Sequence, residues 1–312
     1  MSKTLMKPIF HEEFTKLMRK DEKVVFIDAD LAKAHGSEKL RLEFPDRALD
    51  VGIAEQMMVE YAAGLSAYGF KPYVATFTPF LTRRACDQIA ISVCYAKRNV
   101  KLIGTDPGIC AETNGGTHMG MEDIGVMRSI PTMVIYEPAD AAEFIKALPV
   151  INDYPHAMYI RHQRTEAQDV HEGDFEFDLF KAELLKEGAD VTIAASGYMV
   201  AEAQKAADIL AKDGINAEIL NVHTIKPLDG ETIAASVKKT GCLVTAENHN
   251  IIGGLRSAIL EDFSERGVFV PTEAIGVRDH FGEVGFLPFL QEKYHMRPED
   301  IAEAAKKVIA KK

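Results

Sequence analysis

Short apolar runs alternate with amphipathic helical stretches along this chain, and that alternation limits its fold more than any other feature. "KVVFIDADL" (23–31), "KPYVATF" (71–77), "NVKLIGT" (99–105), "TMVIYEP" (132–138) and "AMYIR" (157–161) read as buried strands. Between them lie helical patterns such as "AEQMMVEYAAGLSAYG" and "ADAAEFIKALPVI". Strands of a parallel sheet are covered on both faces and so are apolar throughout. Strand and helix in alternation predict that architecture. Residues 165–189 are polar and acidic and break the rhythm. It resumes with "VTIAASG", with a helix "MVAEAQKAADILAKDG" closed by Gly214, and with "INAEILNVHTI", "GCLVTAENH" and "TEAIGV". That helix gathers Val200, Ala203, Ala206, Ala207 and Leu210 on one face. The expected fold is two three-layer α/β/α domains with mostly parallel sheets, at 1–172 and 190–312, with 173–189 as a linker.

Composition narrows the function classes. There are 47 acidic against 36 basic residues, a net charge of −11, which argues against nucleic acid as a partner. A local Arg or His can still recognise a small anion. No apolar run is long enough to span a membrane. The start, "MSKTLMKPIFHEEFTKLMRK", is interrupted by charges and reads as a helix rather than a signal peptide. Four cysteines (Cys86, Cys94, Cys110, Cys242) have neither metal-ligand nor CxxC spacing, which fits a reducing cytoplasm.

In open parallel sheets, sites form at the carboxyl ends of the strands. Asp28, Asp30, Glu55, Phe77, Asp106 and Arg161 all fall at or just after predicted strand ends. Glu55 poses the sharpest question. In "DVGIAEQMMVEYAAGL" (50–65) it opens a helix with a strongly apolar face. A first-turn Glu can simply serve the helix dipole and the free amides there. The alternative is a carboxylate kept dry for chemistry.

The ordered set "DVGIAEQ", "YVATFTPFLTRRACDQI", "GGTHMGMEDIGVMRSIPTMVIYEPAD" and "YIRHQR" resembles the pyrimidine-binding domain of the transketolase family. "TIKPLD", "ENHNIIGGLRSAI" and "IGVRDHFGEVG" resemble the C-terminal domain of transketolases made as two polypeptides. The resemblance spans nearly the whole chain. It implies that Glu55 hydrogen-bonds N1′ of the aminopyrimidine of thiamine diphosphate, in dry surroundings that include Met57 and Met58. Phe77 and Phe80 would form the pocket for that ring, and Arg83 would stand at a further cofactor-side position. His118 would handle protons near the reacting carbon, on a loop brought close by Gly115 and Gly116. Arg161 would bind the substrate phosphate through its planar fork.

Three departures bear on the sugar. Asn114 replaces a family aspartate, Asp106 replaces a histidine, and Ala34 replaces a phosphate-contacting serine, flanked by Lys33 and His35. Cofactor activation is therefore expected to be intact and sugar recognition altered, toward a modified sugar phosphate or another anionic sugar. The Gly-Asp-Gly segment that anchors Mg²⁺ and the diphosphate in this family is absent, so this chain is expected to hold no metal ligands. The resemblance implies a separate N-terminal subunit carrying them, in an α2β2 assembly that transfers a two-carbon ketol unit from a ketose to an aldose. The rivals are a beta subunit of a 2-oxo-acid dehydrogenase decarboxylase, a 1-deoxyxylulose-5-phosphate-synthase-like enzyme, and a non-catalytic regulatory subunit.

Overall fold

A computed structural model describes Ser2–Lys312. Its first part contributes strands β1 (Lys3–Leu5), β2 (Val24–Asp28), β3 (Ala48–Asp50), β4 (Lys71–Phe77), β5 (Lys101–Thr105), β6 (Val134–Tyr136), β7 (Met158–His162) and β8 (Glu166–Gln168). The second part contributes β9 (Glu183–Lys186), β10 (Val191–Ala195), β11 (Ala217–Asn221), β12 (Thr224–Lys226), β13 (Leu243–Asn250) and β14 (Thr272–Val277). One sheet runs β12-β6-β7-β5-β4-β2-β3 and a second runs β14-β13-β10-β11-β9; β1 and β8 pair separately. Within the two large sheets every pairing is parallel except those of the edge strands β12 and β9. This is the two-domain, mostly parallel α/β architecture.

Side chains of β2 show why its sequence is apolar throughout. Val24 and Phe26 point into a cluster with Phe10, Phe14 and Phe144, whereas Val25 and Ile27 join Met58, Val59 and Ala62 on the other face. Successive residues of a strand face opposite sides, so a sheet sandwiched by helices needs apolar residues at every position. The cluster behind helix Glu55–Ala67 continues into the second domain through Ile233, Leu243, Leu255 and Ile259. No helix among the described residues is long and apolar enough to cross a membrane.

The two sheets are more interwoven than the sequence suggested. The stretch expected to be a linker, 173–189, contains β9, an edge strand of the second sheet. In turn β12 leaves the second domain and pairs antiparallel with β6 at the edge of the first sheet. Both strands are only three or four residues long, too short for a periodic signal.

A buried ionic joint ties the domains together. On β7, Tyr159 and Arg161 share one face. The Tyr159 hydroxyl and Arg161 Nε both donate to Asp123 Oδ2 at 2.7 Å. Arg161 Nη1 reaches Glu137 Oε1 at 2.6 Å, and Nη2 donates to the Asn248 carbonyl on β13 at 2.9 Å. Arg161, Asp123 and Glu137 are all fully or nearly fully buried. A second joint lies at His171, whose Nδ1 is 3.0 Å from Asp140 and whose Nε2 is 2.8 Å from Glu183 on β9. Burial disfavours the imidazolium, but these two carboxylates outweigh it and push its pKa up to about 10.

Two outcomes follow from these joints. Arg161→Met strands two carboxylates in the interior and should lower stability by about 3–5 kcal/mol, read as a reduced urea midpoint at unchanged slope. A loss below about 1 kcal/mol would show that Asp123 and Glu137 are relieved in some other way. For His171 the folded-state pKa lies above the ordinary value of 6.5, so its contribution is complete below that pH and is lost as pH rises through about 10. His171→Gln should therefore be less stable than the parent near neutrality and should lose less stability across that interval. Urea midpoints measured at both ends of the interval test it.

Candidate active site

Glu55 reaches its place through a tight turn. Gly52, at φ +71°, ends the path from β3, and Ala54 caps helix Glu55–Ala67 without a side-chain hydrogen bond. The Glu55 side chain is only 5% exposed. It caps nothing: its carboxylate Oε1 accepts from Arg84 Nη1 at 2.8 Å and from no backbone amide. Glu55 therefore does not cap the helix, although its first-turn position still suits the helix dipole. Met58 is buried beneath it, but Met57 is half exposed, together with Ile53 and Tyr61. The expectation of a dry wall at Met57 is corrected for this chain, because that residue sits on the outer side of the helix.

Phe77 ends β4, and Phe80 opens a π-helical turn, Phe80–Arg84. Their ring centroids are 5.8 Å apart and nearly perpendicular. His118 lies edge-on to both, 5.4 Å from Phe77 and 5.0 Å from Phe80. Its Nδ1 is 2.8 Å from Thr117 Oγ1, which leaves Nε2 without a protein partner among the described residues. Burial and the nearby positive charges of Arg84 and Arg164 lower its pKa, so the imidazole is neutral near pH 7 and able to accept a proton.

The π-turn shifts the register of the two arginines. Arg83, the expected cofactor-side residue, is held outside by Glu122 at 3.0 Å. Arg84, as exposed as Arg83, holds its guanidinium 4.0 Å over the Phe80 ring while it bonds Glu55. A π-turn sets successive side chains at angles that differ from those of a regular helix, and such turns often occur at functional sites.

The substrate side needs a larger correction. Arg161 is the buried joint of the two domains; with its fork committed to Asp123, Glu137 and a carbonyl, it meets no substrate. Arg164 faces the pocket instead. It lies two residues beyond β7, with its guanidinium 5.1 Å over Phe77 and Nη1 3.4 Å from the Ala34 carbonyl. Asp106 is buried behind it and is ion-paired to its Nε. His35 is also misassigned: it is fully buried near Phe10 and Phe26, and burial, with His162 next, pushes its pKa down to about 3. Lys33 is exposed beside Ala34, and Asn114 is half exposed at the end of a 3-10 turn, Gly108–Asn114. The pattern "YIRHQR" held the signal for Arg164, since a strand's alternation ends where the chain leaves the sheet.

The second domain clamps the loop that carries His118. Asn248 Oδ1 accepts from Ile109 N at 2.9 Å while its Nδ2 donates to the Pro107 carbonyl at 2.9 Å. Glu112 Oε1 accepts from Leu287 N at 2.9 Å. Gly115, at φ +78°, turns the loop, and a Cβ on Gly116 would collide with the Gly282 carbonyl. These glycines admit the second domain, a role the sequence had given to substrate approach. Among the described residues no group of three or more His, Cys, Asp or Glu is arranged to hold a metal ion.

Comparison with known proteins places this geometry. The transketolase pyrimidine-binding domain description fits residues 3–169, and the transketolase C-terminal domain description fits residues 180–301. The 6-deoxy-6-sulfo-D-fructose transketolase subunit SqwH of Clostridium sp. (strain MSTE9) is 50% identical over 294 residues, covering 94% of this chain and 91% of that one. An apulose-4-phosphate transketolase subunit of Phocaeicola vulgatus is 36% identical over 274 residues, covering 86% of each. A solved structure described as "Split gene transketolase, inactive beta4 tetramer" superposes with a TM-score of 0.88 at 36% identity, covering 97% of both chains. With both domains matched in order and relatives of its own length, the chain belongs to the transketolase family as one subunit of a split, thiamine-diphosphate-dependent enzyme.

Proposed function

We propose that this chain is the pyrimidine-side subunit of a two-component transketolase that moves a two-carbon ketol unit from an anionic ketose, sulfonated or phosphorylated, to an aldose. The observation that carries this reading is the grouping of Glu55, Phe80 and His118. The residues fit thiamine diphosphate. Arg84 lies flat on Phe80 while hydrogen-bonded to the Glu55 carboxylate, the placement an aminopyrimidine ring needs, although there the proton would pass from Glu55 to N1′. Arg84 is half exposed and free to yield that place. Held by Glu55, Phe77 and Phe80, thiamine diphosphate would supply an acidic carbon able to act as nucleophile toward a ketose carbonyl and as electron sink for its C2–C3 bond.

Each residue has a task in this reading. Glu55 holds a proton against N1′, in a site where burial strengthens the hydrogen bond. Phe77 and Phe80 exclude water and orient the ring. His118 accepts or returns a proton at a sugar hydroxyl through Nε2. Arg164, in place of Arg161, grips the anionic end, with Lys33 and Asn114 on the rim. Ile53, Met57 and Tyr61 form an apolar strip along the outer face of the Glu55 helix, which supports docking of the separate N-terminal subunit there. That partner would bring the Mg²⁺ and diphosphate ligands, in an α2β2 assembly. The names of two split relatives, which act on a sulfo-sugar and on a branched-sugar phosphate, support an unusual ketose.

The test uses this chain reconstituted with its partner subunit. Glu55→Gln should slow hydrogen–deuterium exchange at C2 of bound thiamine diphosphate by about 10²–10⁴-fold, since an amide cannot share a proton with N1′ as a carboxylate does. Exchange at the parent rate would remove Glu55 from the mechanism.

A further inference from the structure

The Asp106–Arg164 pair has features that a simple anion-binding arginine lacks. Arg164 meets the Asp106 carboxylate twice, through its side-chain Nε at Oδ2 and through its own backbone amide at Oδ1 (3.2 Å). Asp106 is itself fixed on three sides. Its backbone is left-handed, at φ +52°, its amide donates to the His162 carbonyl at 2.9 Å, and its carbonyl accepts from Thr78 Oγ1 at 3.2 Å. Aspartate is among the few non-glycine residues that adopt that conformation readily, and here the two backbone hydrogen bonds hold it there. The result is a carboxylate that cannot move away from the guanidinium.

Two consequences follow for any ligand. With Nε taken by Asp106 and Nη1 partly engaged by the Ala34 carbonyl, Arg164 offers mainly its end, over Phe77 and beside His118. Burial pushes the Asp106 pKa up to about 7 against the pull of Arg164, so above that pH the carboxylate behind the guanidinium offsets much of its charge. An oxyanion arriving at Nη2 meets the guanidinium directly, the solvent-screened Lys33 only at the rim, and, slightly farther off, the fixed Asp106 carboxylate. A single negative charge suits that arrangement. A second charge adds attraction to the guanidinium that is mostly cancelled by repulsion from Asp106, while the desolvation of a dianion is far greater. A sulfonate carries one negative charge at any physiological pH, whereas a phosphate monoester carries about −1.5 to −2 at pH 7.

We propose that the Asp106–Arg164 pair makes this pocket selective for ketoses ending in a monoanionic sulfonate over those ending in a dianionic phosphate. Asp106 acts here through Arg164 and is a positioning residue. The inference rests on the transketolase reading above and deepens it.

The reconstituted enzyme separates the two claims. The donors are 6-deoxy-6-sulfofructose and fructose 6-phosphate, which share a carbon skeleton, with glycolaldehyde as a neutral acceptor. The parent enzyme should show kcat/KM at least about tenfold higher for the sulfonate, an interval that corresponds to about 1.4 kcal/mol. Asp106→Asn should narrow that ratio to within about threefold, chiefly through a lower KM for the phosphate, because a neutral side chain no longer opposes the second charge. Co-elution with the partner subunit and retention of thiamine diphosphate show that the variant is assembled; if Asp106→Asn fails this control, Asp106→Ser takes its place. A parent enzyme that favours the phosphate, or an assembled variant with an unchanged ratio, overturns the charge-selection claim and leaves the transketolase reading standing. Turnover of neither donor defeats that reading, and the selectivity claim falls with it.

Discussion

The placement of one guanidinium in the interior organises much of this molecule. Arg161 projects from β7 into the seam between the domains and is satisfied by carboxylates from the first domain and a carbonyl from the second. A buried ion network of this kind contributes little net stability over an apolar core, but breaking it is strongly destabilising, so it fixes one relative arrangement of its partners. Because one of its acceptors is the Asn248 carbonyl, that arrangement includes the side chain that pins the 107–110 loop. The geometry of His118 is thus set partly by a strand that carries none of the candidate catalytic residues.

This dependence explains why the two domains occur on one polypeptide while the rest of the enzyme can be separate. The loop that bears His118 needs the second domain at Asn248, Leu287 and Gly282 to hold its shape. The Glu55 helix, by contrast, is complete on its inner side and carries an exposed apolar strip, beside Gln56 and Glu60, on its outer side. A chain built this way can fold alone and still present a face that water covers poorly. The strip at Ile53, Met57 and Tyr61 borders the one buried carboxylate that the proposed chemistry requires.

The substrate side is built by a different device. Arg164 is partly exposed and would be mobile on a bare loop, with entropy to lose on meeting a ligand. Pairing with a buried, conformationally constrained Asp106 orders it beforehand and trims the charge of the site. The family resemblance leads one to expect a histidine at position 106, which, buried beside Arg164, would carry no charge. Replacing it by an aspartate changes the electrostatic character of the pocket while leaving the aromatic and carboxylate groups of the cofactor side untouched.

The sequence by itself determined the fold class and pointed to the residues proposed for the cofactor side. Apolar strands between amphipathic helices are a local pattern with a fixed period, and Glu55, Phe77, Phe80 and His118 sit in motifs whose order survives without coordinates. Tertiary structure decided the arginines. Arg161 and Arg164 differ by three positions in "YIRHQR", yet one is inside the strand, facing a seam of buried carboxylates, and the other lies past its end, where the chain turns into the pocket. Arg83 and Arg84, neighbours on one π-turn that leaves no periodic trace in five residues, pair with different carboxylates, Glu122 and Glu55. His35 went into the core because the aromatic cluster that surrounds it is assembled from distant elements. A charged side chain's role depends on which surface its backbone faces and on the partners already there, and those partners come from segments far apart in sequence. Periodicity can reveal a strand, but only the packed molecule shows which charges are already paired.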